Sequence, residues 1–275
     1  MNKLIQKPKI IFIDLDGTTL DKRENGEVSI SQENIDAVKE CTKQGIEVVV
    51  STGRGDVHFT WELSKKMGLT KNIIFWNGSK VVKNNETIFA RAIAPTTIQK
   101  MFDLAAKNGI TTIINSNYKQ KSYSTCLFYK AGILFRGASA KKYKDFKNDE
   151  DVFKLIFWHI RGAKLKKFYE ALLANFSNEV TVSYAGVKNN YLEVTAIGCS
   201  KGEAEEFYAK ASNIEIKDCM HIGDSMNDHT TCGVVGNVVA LANSVPKYKE
   251  DADTISPYPC NTGGLAKTLK SLVLD

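Results

Sequence analysis

Short apolar runs recur near both ends of the chain: Ile10-Ile-Phe-Ile13, Ile46-Glu-Val-Val-Val50, Ile73-Ile-Phe-Trp76, Cys219-Met-His-Ile222 and Val238-Val-Ala-Leu241. Runs of this length without polar alternation suit strands covered on both faces, as in the middle of a parallel sheet. Helical periodicity separates them. Ser31 to Gly45 places Ile35, Val38 and Cys41 or Thr42 on one side and closes at a glycine, and Asp56 to Gly68 follows the second run. Ser200-Lys201-Gly-Glu203 reads as a capping box ahead of a helix carrying Phe207 and Tyr208; Asn243 or Ser244 starts another, and Gly264 to Leu272 is the last. The alternation predicts an α/β protein with a Rossmann-like parallel-sheet core.

The texture changes between about Lys80 and Val187. Val81-Val82 and Ile88-Phe89 flank an Asn-Asn turn, a helix is expected over Thr96 to Asn108, and strands near Thr111 to Ile114 and Tyr123 to Tyr129. Leu155 to Ile160, Ala163 to Phe176 and Val180 to Tyr184 then read as strand, helix and strand. This block has no carboxylate pair or glycine-rich turn, and it reads as an inserted α+β domain. The expected organisation is 1–80 as the first part of the core, 81–187 as the insertion and 188–275 as the second part, with Leu192 to Thr195 returning to the core.

Chemistry collects where the outer runs end. Asp14 and Asp16 follow the first run with Gly17 beneath them, Ser51-Thr52-Gly53-Arg54 follows the second, and Gly223-Asp224-Ser225-Met226-Asn227-Asp228 follows the fourth. In open α/β sheets ligands bind beyond the carboxyl ends of the strands. An Asp-x-Asp pair also opens the helix-loop-helix calcium motif, but Thr19 and Asn25 stand where that motif needs Gly and Glu. Two Asp and an Asn at the fourth run suit Mg²⁺, a hard cation that takes oxygen ligands. Thr52 with a glycine-freed backbone suits phosphate oxygens. Lys201 opposes the helix dipole at a cost of about 0.3 to 1 kcal/mol, which points to an anion nearby.

At 275 residues, 43% hydrophobic and 25% charged, the composition is that of an ordinary globular chain. No apolar run is long enough to span a membrane, and Met1 to Lys7 lacks the apolar stretch of a secretory signal, so a cytoplasmic protein is expected. The six cysteines form no C-x-x-C pair and the four histidines show no zinc spacing. A net charge of +6, spread along the chain, can favour a phosphate-bearing ligand but not nucleic acid. The run Lys141 to Lys144 reads as a solvated helix face.

Taken together, Asp14-Leu-Asp16-Gly-Thr18, Ser51-Thr52-Gly53-Arg54, Lys201 and Gly223 to Asp228 resemble the four signature motifs of the haloacid dehalogenase-like hydrolases. Asn77-Gly78 and Ala240-Leu-Ala-Asn243 resemble marks of the Cof-type phosphatase subfamily, whose large cap is inserted between the second and third motifs. The resemblance implies that Asp14 is the nucleophile and Asp16 the general acid and base. It implies that the Leu15 and Gly53 amides, Thr52, Lys201 and Asn227 hold phosphate oxygens. Mg²⁺ would bind Asp14, the Asp16 carbonyl and Asp224, while Asp228 would orient Lys201 or a metal-bound water. Ser51 stands where a small apolar residue is expected.

The reading that follows is a Mg²⁺-dependent phosphatase forming an aspartyl phosphate on a small phosphorylated metabolite, with sugar phosphates among the candidates. A phosphomutase, which passes the phosphoryl group back to a second hydroxyl, or a non-catalytic phospho-ligand-binding protein are the alternatives. Neither nucleic acid nor membrane is an expected partner.

Overall fold

The computed structural model describes residues 7–135, 137–186 and 190–274. The N-terminal residues 1–6 and the expected boundary between 187 and 188 lie outside them. The chain divides into two compact units, Met1–Phe89 with Ser200–Asp275, and Ala90–Cys199.

The first unit is built on an eight-stranded sheet. Its order is Thr254–Ile255, Asn237–Ala240, Cys219–Gly223, Ile10–Ile13, Glu47–Ser51, Ile73–Phe75, Lys80–Lys83 and Glu86–Ala90. The first six are parallel, and Lys80–Lys83 turns back antiparallel against Ile73–Phe75. Ile10–Ile13 lies between Cys219–Gly223 and Glu47–Ser51, strands from opposite ends of the chain, so the strand order reverses beside it. Such a reversal opens a crevice at the carboxyl ends of the strands, where Asp14 begins.

The apolar runs are buried because both faces are covered. Phe12 packs edge-on against Tyr208 of helix Lys201–Ala211 at 5.8 Å, in a cluster with Ile10, Val49, Ile74 and Val81. Helix Gln32–Lys43 buries Ile35, Val38 and Cys41, and its buried Asn34 donates to the Thr19 carbonyl and accepts the Ala266 amide, tying the opening loop to the last helix. An exposed hairpin, Lys22–Glu24 with Glu27–Ser29, turns through Asn25 and Gly26, both at positive φ. Asn25-Gly26 is the local signal for this turn, which the apolar periodicity does not reveal.

The second unit is a six-stranded sheet ordered Ala140–Lys141, Ser122–Tyr123, Thr111–Ile114, Leu155–Trp158, Tyr191–Ala196 and Val180–Ala185. Helices Pro95–Asn108 and Gly162–Phe176 pack on it, through Phe102 against Tyr123 at 5.2 Å and Phe168 against Phe157 at 5.0 Å. Lys154 and Glu193 form a buried ion pair at 2.6 Å.

Four expectations change. Val81-Val82 and Ile88-Phe89 extend the first sheet, because Val81 and Val82 bury on Ile73 and Ile74. Leu192 to Thr195 pairs with Leu155–Trp158 inside the second sheet. The strand expected over Tyr123 to Tyr129 stops at Tyr123, and Leu127–Leu134 is helical. The helix expected from Asn243 or Ser244 begins at Pro246, whose fixed φ suits the first helical turn.

Candidate active site

The carboxyl end of the first sheet collects the motif residues. Asp14 is nearly fully buried, and Lys201 Nζ donates to its Oδ1 at 2.6 Å. The same ammonium donates to Asp228 Oδ1 at 2.6 Å. Asp228 is saturated: its Oδ2 accepts the backbone amides of Asp224 and Ser225 at 3.0 and 2.9 Å. That contact closes the Gly223 to Asp228 loop. A Cβ on Gly17, whose φ is +80°, would stand 2.3 Å from Asp224 Oδ2, so the opening turn can approach this carboxylate only as glycine.

Charge dominates the electrostatics. Burial, reinforced by Asp228 and Asp16, raises the Asp14 carboxyl to about 7 despite Lys201. Burial and the charges of Asp228 and Asp14 raise Asp224 to about 9. Burial would raise Asp228 as well, but Lys201 and His221 override it and hold Asp228 well below the usual carboxylate range. Lys201 is pulled the other way: burial opposes its charge, yet Asp14 and Asp228 keep it firmly protonated. Two raised carboxylates beside a saturated one mark a place that lacks positive charge.

A divalent cation fits that lack. Asp14, Asp224 and Asp228 can each offer an oxygen within 4.8 Å of the others, and Asp224 Oδ1 is buried with no hydrogen-bond partner. Asp228 has its oxygens committed to Lys201, His221 and two amides, which leaves Asp14 and Asp224 as the carboxylates able to bind. All-oxygen donors of this kind suit Mg²⁺.

The remaining motif residues fall as follows. Thr52 is buried, and its hydroxyl oxygen accepts the Arg54 amide at 3.1 Å, leaving the hydroxyl proton as a donor. Leu15 is buried, and its carbonyl closes the opening turn by accepting the Thr19 and Leu20 amides. Gly53 follows Thr52 in the same loop. Asp16 lies apart from the acidic cluster, with a side chain 58% exposed and gripped by both arms of the Arg54 guanidinium at 2.7 Å. Asn227 does not stand free: its amide donates to Asn77 Oδ1 at 3.0 Å, and its Oδ1 accepts the Ser225 hydroxyl at 2.7 Å.

Sequence reasoning assigned no role to Arg54, Asn77, Asn243, Glu205 or His221, all of which touch these residues. Asn77 is held at φ 54°, which asparagine tolerates, directly after Trp76 at φ 48°, where so bulky a side chain is uncommon. Asn243 donates to the Gly17 carbonyl at 2.8 Å and so ties the strand end Ala240 to the opening turn. Arg54 and the two Asn lie inside the motifs that end the strands and are legible there. Glu205 and His221 carried no such mark.

A turn carrying Asp14 and Asp16 at a strand end, a buried lysine and an acidic loop, all at the parallel strands of one sheet, are features of a hydrolase of the haloacid dehalogenase type. The sequence matches the profile of the haloacid dehalogenase-like hydrolases over residues 11–269, and the chain belongs to that family, as an enzyme of its phosphatase class. It is 30% identical over 267 residues to a 5-amino-6-(5-phospho-D-ribitylamino)uracil phosphatase of Bacillus subtilis, covering 97% of this chain and 96% of that one. It is 26% identical over 301 residues to the phosphatase YwpJ of the same organism, covering 96% of this chain and 100% of the relative. A solved haloacid dehalogenase-like hydrolase from B. subtilis shares the fold at a TM-score of 0.77 and 23% identity, covering 96% of this chain and 100% of that one. Among the described residues no helix is long and apolar enough to cross a membrane.

Proposed function

We propose that the chain hydrolyses the phosphate monoester of a small metabolite through an aspartyl phosphate on Asp14, with Asp14 and Asp224 as the side chains that would hold Mg²⁺. The observation that carries this reading is the Lys201 contact: a buried ammonium 2.6 Å from Asp14 Oδ1 holds one carboxylate oxygen and leaves the other to attack phosphorus. Thr52, the Gly53 and Leu15 amides and Lys201 then supply donors for the equatorial phosphoryl oxygens. When bound, Mg²⁺ would neutralise charge shared by the phosphate and the two carboxylates.

Asp16 is the proton-transfer residue of this reading. Once Arg54 releases its grip the Asp16 carboxyl can take up a proton, give it to the leaving oxygen, and as the carboxylate so formed later take one from the attacking water, which restores the acid. Asn227 supports the site by bracing the Gly223 to Asp228 loop against Asn77. The substrate class follows the relatives, one of which is named for a phosphorylated ribitylamino compound. The test is hydrolysis of a panel of phosphorylated sugars, sugar alcohols and ribitylamino compounds with Mg²⁺ and with excess chelator, scored by kcat/KM. Turnover that needs Mg²⁺ and disappears in Asp14→Asn is expected; release of an isomerised phosphate ester in place of inorganic phosphate would favour a mutase.

A further inference from the structure

Asp228 has a partner that the reaction scheme above does not use. His221, inside strand Cys219–Gly223, is fully buried, and its Nε2 lies 3.0 Å from Asp228 Oδ1. Its Nδ1 lies 2.8 Å from Oε1 of Glu205, which is equally buried on helix Lys201–Ala211. Ser51 donates its hydroxyl to that same Glu205 oxygen at 2.6 Å, while Glu205 Oε2 is buried with no hydrogen-bond partner. A continuous line of polar contacts therefore runs from Ser51 through Glu205, His221, Asp228 and Lys201 to Asp14.

The proton inventory of this line is restrictive. A neutral imidazole offers one N–H and one lone pair, and here both ring nitrogens face carboxylate oxygens. Asp228 takes donors from Lys201 and two backbone amides, as an ionised carboxylate does. A lone pair at either ring nitrogen would meet acceptor oxygen, so the geometry is satisfied when both nitrogens donate. Burial opposes such a cation, but the charge of Glu205 and the hydrogen bonds to Asp228 and Glu205 overcome it and raise His221 to about 9. Glu205 in turn explains Ser51: the hydroxyl standing where a small apolar side chain was expected is the donor that this buried carboxylate requires.

We propose that His221, clamped between Glu205 and Asp228, is a positioning residue for the reaction: it locks the Asp228 carboxylate, which aims the Lys201 ammonium at Asp14 and the phosphate. The proposal rests on the phosphatase reading. Asp228 holds Lys201 with the same oxygen that accepts from His221, so loss of the imidazolium leaves Oδ1 to the lysine alone and lets the carboxylate turn about its amide-bound Oδ2. Because Lys201 acts on charge that develops at the phosphoryl oxygens, its misplacement lowers kcat more than it raises KM.

The test compares the full chain with His221→Asn and Glu205→Gln, each checked for a cooperative melt, by hydrolysis of p-nitrophenyl phosphate with Mg²⁺. Imidazole ¹⁵N NMR is recorded on the parent and on His221→Asn. One histidine of the four is expected to stay doubly protonated at about pH 8, above the usual range for imidazole, and to vanish in His221→Asn. His221→Asn should lose roughly tenfold or more in kcat with KM within about threefold, Glu205→Gln should lose less in the same sense, and the double variant should be no worse than His221→Asn. A neutral His221 at that pH, or a folded variant that melts lower yet keeps kcat within about twofold of the parent, overturns the proposal. If His221→Asn does not fold, the same kcat criterion applied to Glu205→Gln decides. A parent that turns over no phosphate ester overturns the phosphatase reading and this one with it, whereas an active parent with equally active variants overturns this one alone.

Discussion

The Lys201 ammonium stands 2.6 Å from Asp14 Oδ1, although 187 positions separate the two residues in the chain. A lysine in the first turn of a helix opposes the macrodipole, and from the sequence its cost is offset only when an anion binds. In the folded chain the offset is already present, because Asp14 and Asp228 both hold the ammonium and no part of its side chain is exposed. Lys201→Ala should therefore destabilise the ligand-free protein by about 3 kcal/mol or more, since it strands the buried Asp14 carboxylate and removes one of the donors to Asp228. A denaturant melt checks this. Equal midpoints and slopes for variant and parent would show that the contact contributes nothing to the fold.

Asp14→Asn should act in the opposite manner. It removes one charge from a crowded acidic cluster, so the free protein should remain folded and be no less stable, while kcat falls by roughly a thousandfold or more for want of a nucleophile. Steady-state kinetics beside a thermal melt separate the two effects. Near-parental turnover would remove Asp14 from the mechanism.

Metal-free stability should decline as pH rises. Asp14 and Asp224 have values of about 7 and about 9, above those of an unfolded carboxyl, so the folded chain binds more protons than the unfolded one between about pH 4 and those values. The stability gained from protonation is complete at the acid end of that window and is lost as pH climbs through it. Mg²⁺ binds the deprotonated forms, so its stabilising shift in melting temperature should grow from about pH 5 to about pH 8. Gly17→Ala, which drives a Cβ into Asp224, should abolish most of that shift. A Mg²⁺ shift independent of pH would exclude these two carboxylates as the ligands.

Arg54→Ala should change activity with little change in stability. The pair it forms with Asp16 is partly exposed, with side chains 24% and 58% accessible, and such pairs contribute about 1 kcal/mol or less. The proton-transfer limb of the kcat/KM profile against pH is where the loss of this contact should appear. A variant with an unaltered profile would mean that Arg54 has no influence on Asp16 during turnover.

Several features of this protein are local enough to be written in its sequence. Four-residue apolar runs such as Ile10 to Ile13 state that a strand is covered on both faces, and a carboxylate, hydroxyl or glycine directly after each run states what stands at the sheet's edge. The motifs that hold Asp14, Thr52, Lys201 and Asp224 carry the resemblance to the family, and the chemistry expected of them follows from that resemblance. Strand partnership is different, because it depends on which edge is open once the other strands are in place. Lys80–Lys83 and Glu86–Ala90 look like the start of the insertion, yet they bury Val81 and Val82 by extending the first sheet. Tyr191–Ala196 looks like a return to the core, yet its hydrogen-bonding edges are taken by Leu155–Trp158 and Val180–Ala185. The same holds for the buried charges. His221 reads as an isolated polar residue in a strand and Glu205 as one acid on a helix surface; only the packing of that helix on the sheet brings them to 2.8 Å, where neither can be buried without the other.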